Sequence, residues 1–146
     1  MQQFPHRYRV AAAAAEDGEV AIEGDRLPSL STAPPAEYGG PGDRWSPESL
    51  LVAAVADCFV LTFRAIARAS KLPWTTVRCD VEGTLDRIDR VTQFTGFQVR
   101  AALRVPPGAD VEKARRLLER AEQSCLITNS LKGTIQLEAE VESGAA

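Results

Sequence analysis

The chain has 146 residues, 45% apolar and 25% charged, with a formal net charge of −3. That length and balance suit one globular domain, residues 1–146, with a core of its own. The weak negative charge and the lack of a basic block argue against nucleic-acid binding. The N-terminal MQQFPHRYRV has no signal-peptide hydrophobic stretch, and no segment reads as apolar enough to span a membrane. A cytoplasmic protein without membrane partners is therefore expected.

In chain order, Tyr8 and Val10 alternate with charged neighbours before the run Ala11–Ala15, and Glu16-Asp17-Gly18 is a turn signal. A hairpin into Glu19–Ile22 follows, then a third short strand near Leu27–Thr32. The alanine run is too short for a helix before Asp-Gly stops it. Residues 33–46, APPAEYGGPGDRWS, contain three Pro and three Gly and form a long loop bearing Tyr38 and Trp45.

The stretch Ser46–Lys71 is the longest helix. Ser46 caps it, Pro47 suits the first helical position, and Glu48 sits near the positive end of the dipole. Neither Gly nor Pro occurs from Leu50 to Ala69. At ~1.5 Å per residue the helix spans roughly 38 Å. Its apolar stripe is Leu51, Val55, Cys58, Thr62 and Ala65. A helix this apolar needs cover on several sides, from more than one chain.

Leu72-Pro73 ends that helix. Trp74–Ile88 alternates as a strand with Val77, Cys79 and Val81 on one face; Asp86–Gln93 is turn-like, and residues 94–105 form the next strand. After Pro106-Pro107-Gly108, Asp110 caps a second helix, Val111–Ser124, with the stripe Val111, Ala114, Leu117, Leu118 and Ala121. Cys125–Gly133 reads as a turn and Thr134–Glu142 as the last strand. Strands in runs, with two helices between, predict an α+β fold with mainly antiparallel pairing.

Three cysteines at wide, irregular spacing fit neither a secreted disulfide framework nor a zinc ribbon. His6 is the only histidine, so no metal site and no Cys–His nucleophile are expected. Cys58 reads either as a small core residue or as a nucleophile. Lying well past the helix start, it is beyond the terminal dipole, and neighbouring Asp57 would raise its pKa. A reactive Cys58 thus needs a cation from elsewhere. Cys125 reads as core or as a redox partner, and Cys79 as structural. Glu48 precedes Cys58 by roughly 15 Å along the helix. The two share a site only through a bridging arginine or a second chain.

The segment SPESLLVAAVADCF, followed after the cysteine by SCLITNSLKG, resembles the OsmC/Ohr family of thiol peroxidases across nearly the whole chain. The resemblance implies an OsmC-like fold, with antiparallel sheets wrapped around long central helices in an intertwined homodimer. It implies that Cys58 is the peroxidatic cysteine, that Cys125 is the resolving cysteine forming a disulfide with it, and that Glu48 orients an activating arginine. No cofactor is implied. The partners are a hydroperoxide, organic or hydrogen peroxide, and a thiol reductant of the dihydrolipoyl type or another. Leu51, Val55, Phe59 and Tyr38 are the expected substrate pocket. The family arginine is out of register: Ala14-Ala15-Glu16-Asp17-Gly18 and Glu37-Tyr38 stand where it belongs, and Arg26 and Arg44 are the nearest substitutes. A weak peroxidase, a non-catalytic dimer binding a small apolar ligand and a redox sensor are all compatible with that departure.

Overall fold

The computed structural model describes residues 2–144. The chain divides into two compact units, Met1–Leu50 and Leu51–Ala146.

In the first unit, β1 (Ala11–Ala13), β2 (Val20–Glu23) and β3 (Leu30–Thr32) form an antiparallel sheet in that order. The alanine run is a strand as expected, though it stops at Ala13. The loop after β3 makes a 3-10 turn at Ala36–Tyr38, closed by Gly39 in the left-handed region at φ 87°. It returns to the sheet where Ala33 N–H donates to the Trp45 carbonyl at 3.0 Å. Arg44 donates to Glu19 at 2.6 Å, and the Ser31 hydroxyl donates to the same carboxylate.

The long helix, α1, runs over Pro47–Ala69. Its start is a reciprocal cap: Ser49 N–H donates to Ser46 Oγ at 3.1 Å, and Ser46 N–H donates to Ser49 Oγ at 2.9 Å. Ser49 thereby does the work that Glu or Gln does in the common capping box.

In the second unit, β4 (Thr76–Ile88) and β5 (Val91–Val105) form a long hairpin, and β6 (Thr134–Ser143) pairs with β5. The hairpin turn is tighter than the expected Asp86–Gln93. Asp89 and Arg90 both adopt positive φ, 49° and 68°, so two residues reverse the chain and Ile88 pairs with Val91. The β5–β6 pairing is parallel, unlike the three others, because α2 (Val111–Ser124) carries the chain back across the sheet between them. Asp110 caps α2, its carboxylate accepting from Lys113 N–H at 3.0 Å.

The core lies between α1, α2 and the inward face of this sheet. Val55, Phe59, Phe63 and Ala67 of α1 pack with Phe97, Val99, Ala101, Leu103 and Val105 of β5 and with Ala114, Leu117, Leu118 and Ala121 of α2. The buried row of α1 therefore steps by four from Val55, and the expected stripe is corrected: Cys58 and Thr62 are half-buried and Ala65 is exposed. Cys58 lies about 100° round the helix from Phe59, at the margin of the core. Gly83 of β4 lets α1 approach: a Cβ there would meet Val52 Cγ2 at 2.9 Å and both Phe94 and Phe97 at 3.1 Å.

Only four of the 23 residues of α1 are buried, although its mean hydropathy is 2.0 over its most apolar stretch. The expectation that no segment matches a membrane span is thus corrected. Between Leu50 and Ala67 only Asp57 and Arg64 are charged, and the helix meets the length and composition of a span.

Candidate active site

The site grows from the margin of α1 and the turn that follows α2. Cys58 is half-buried and Cys125 is 1% exposed, and both are free thiols. Thr62, one helical turn after Cys58, brings its Oγ1 to 3.8 Å from Cys58 Sγ. Cys125 is the C-cap of α2. Beyond it the chain turns sharply: Asn129 N–H donates to the Cys125 carbonyl at 3.0 Å, and Ser130 N–H donates to the Ile127 carbonyl at 3.0 Å.

Burial pushes the Cys58 thiol up, but four donors outweigh it and hold the group below the ordinary thiol range: Ile127 N–H, the Cys125 thiol, the Thr62 hydroxyl and Leu126 N–H. Hydrogen bonds to the charged form favour that form. The shift is opposite for Cys125. Burial raises it first; Thr128 N–H and the Thr128 hydroxyl lower it, while donation to Cys58 and the charge on Cys58 raise it further. The two thiols are thus shifted in opposite directions, each with the other among its causes. Pairs of groups pushed apart in this way mark acid/base and nucleophile roles.

The groups that lower Cys58 are uncharged. Among the described residues of the second unit, no charged side chain acts on Cys58; main-chain N–H groups and neutral side chains do. Asp57 is exposed and does not act on the sulfur. Of the proposed substitutes for the family arginine, Arg44 is engaged in its own unit by Glu19 at 2.6 Å and Asp43 at 3.2 Å. Arg26 sits at φ 61° between β2 and β3.

The other predicted residues are placed as follows. Glu48 lies in the first turn of α1, half-buried, and its Oε1 is buried with no hydrogen-bond partner among the described residues. Val55 and Phe59 are closed into the core at 0% and 2% exposure, so within one chain they back the site and do not open onto it. Leu51 is half-buried against the same core, and Tyr38 is 59% exposed in the first unit. Cys79 points inward from β4, and its thiol is pushed up to about 11 by burial, then by Asp80 and by Cys125. It stays protonated at neutral pH. Among the described residues no cluster of His, Cys, Asp and Glu is arranged to hold a metal ion.

Sequence reading placed Thr62 on the Cys58 stripe without a role, and it missed the N–H groups of Leu126 and Ile127. A main-chain donor carries no signature of its own. The visible signal is the run Thr128-Asn129-Ser130 just after Cys125, three short polar side chains of the kind that fold a turn back on itself.

Residues 40–140 match the family model described as OsmC-like protein. The uncharacterized protein YmaD of Bacillus subtilis is 30% identical over 126 residues, which cover 83% of each chain. The organic hydroperoxide resistance protein of Xanthomonas axonopodis pv. citri is 30% identical over 120 residues, covering 80% of this chain and 81% of that one. Among solved structures, an organic hydroperoxide resistance protein OsmC from Legionella pneumophila superposes with a TM-score of 0.74 at 26% identity, over 96% of this chain and 99% of that one. The fold, the matched span and these relatives agree, and the chain belongs to the OsmC-like family.

Proposed function

We propose that the protein is a cysteine-based peroxidase that reduces organic hydroperoxides or hydrogen peroxide. The observation that carries this reading is the opposed pair of thiols, Cys58 held below the ordinary range and Cys125 above it, each acting on the other. The Cys58 thiolate attacks the distal oxygen of the peroxide. The O–O bond breaks, Cys58 becomes a sulfenic acid, and the departing alkoxide takes a proton to leave as the alcohol. The Cys125 sulfur then attacks the sulfenic sulfur, forming a disulfide and releasing water. An external thiol, a dihydrolipoyl group or another dithiol, reduces that disulfide and is itself oxidised.

Two features extend the reading. The uncovered apolar surface of α1, with Leu61 49% exposed, fits a helix that a second copy of the chain wraps. The unpartnered Glu48 Oε1 calls for a donor, and a guanidinium brought up in such a homodimer meets that need.

The test is peroxide consumption by purified, fully reduced protein, with cumene hydroperoxide and hydrogen peroxide compared. Wild type consumes peroxide catalytically when a dithiol is supplied, and Cys58→Ser consumes none above buffer. Equal consumption by wild type and Cys58→Ser overturns the proposal.

A further inference from the structure

The turn after α2 holds its shape through side chains that reach back to carbonyls. Thr128 Oγ1 donates to the Cys125 carbonyl at 3.2 Å, Asn129 Nδ2 to the Gln123 carbonyl at 3.2 Å, and Ser130 Oγ to the Leu126 carbonyl at 2.8 Å. Leu131 N–H also donates to the Thr128 carbonyl, at 3.1 Å. The Cys125 and Leu126 carbonyls are thus engaged within the turn, and the opposite ends of those two peptide units, the N–H groups of Leu126 and Ile127, act on the Cys58 sulfur. The three side chains are not equivalent. Asn129 and Ser130 are exposed, whereas Thr128 is 7% exposed and is the only buried polar side chain among the described residues of the second unit. A buried hydroxyl is retained at a cost in desolvation unless its bond is made, and here it is made to the carbonyl of Cys125 itself.

We infer that Thr128 is a positioning residue for the Cys58 sulfur: its buried hydroxyl, bonded to the Cys125 carbonyl, locks the turn whose Leu126 and Ile127 N–H groups act on that sulfur. The inference rests on the peroxidase reading for its purpose, but it concerns geometry that exists without substrate. Fixed N–H dipoles in a partly desolvated site stabilise an anion without reorganising, as in an oxyanion hole. They meet the thiolate before reaction and the sulfenate oxygen after it. The titratable groups facing the site are Cys125 and, through Cys125, Cys79 of β4; Asp57 on α1 points to solvent.

The experiment is the pH profile of Cys58 alkylation by iodoacetamide, read by peptide mass spectrometry in the full-length protein. In wild type the midpoint lies below that of a free thiol. Thr128→Val removes the hydroxyl and is expected to raise the midpoint by about one unit, an approximately tenfold loss of thiolate at a given acidic-side pH. Thr128→Ser keeps the hydroxyl, and its midpoint stays with wild type. Should Thr128→Val lose the native circular dichroism, Thr128→Ala is measured against the same serine control. An unmoved midpoint in the hydroxyl-free variant, or an equal rise in Thr128→Ser, overturns the inference. A wild-type midpoint at the free-thiol value instead removes the peroxidase reading's own support, so the two failures are distinguishable.

Discussion

At the scale of single residues, the chemistry depends on which sulfur holds a proton. The Cys58 pKa is lowered, so its thiolate fraction is complete at alkaline pH and is lost as pH falls through a midpoint below the ~8.5 of a free thiol. The rate of peroxide reduction should therefore be flat above that midpoint and fall tenfold per unit below it; stopped-flow measurement between acidic and mildly alkaline pH checks this. Cys125→Ser should still consume peroxide once, and then accumulate a sulfenic acid that dimedone traps. Cys79, held at about 11, should be inert to the same oxidant. Cys58 and Cys125 were legible as candidates because the chain has only three cysteines, and Glu48, one of 20 acidic residues, because its Pro-Glu motif resembles that of the family. The donors that lower the Cys58 pKa were not. Leu126 and Ile127 act through their backbones, and nothing about leucine or isoleucine announces an N–H aimed at a thiolate.

At the scale of elements, punctuation was the readable part. Ser46-Pro47 opens α1, Leu72-Pro73 follows its end, and Asp110 opens α2, each for a local reason that needs no tertiary contact. What escaped was the part settled across the sheet. The register of the β4–β5 hairpin was hidden because Asp89-Arg90 lacks the glycine that usually marks such a turn. The burial row of α1 was hidden because nearly every position on that helix is apolar. Packing then supplies two predictions. Phe63, 0% exposed and in edge-to-face contact with Trp74 at 5.5 Å between ring centroids, should cost about 3–5 kcal/mol when changed to alanine. Gly83→Ala should cost about 1–3 kcal/mol, since its Cβ would meet Val52 Cγ2 at 2.9 Å and ring atoms of Phe94 and Phe97 at 3.1 Å, so these side chains must shift. Urea unfolding of both variants against wild type gives these values.

At the scale of the whole molecule, α1 is the feature that one chain leaves unfinished. A helix of this hydropathy with four buried residues has apolar surface to cover, and a second copy of the chain is the cover proposed. Leu61→Lys should then shift sedimentation from dimer towards monomer, while an exposed change on the outer sheet face, such as Arg100→Lys, should leave it unchanged. The central claim nevertheless concerns two sulfurs, and one measurement reaches it directly. Reduced protein is given one equivalent of cumene hydroperoxide, alkylated, digested and weighed by mass spectrometry. A cross-linked peptide pair joining Cys58 to Cys125, with Cys79 carrying the alkyl label, is the predicted result. Recovery of Cys58 fully alkylated, or of a cross-link that runs through Cys79 instead, would contradict it.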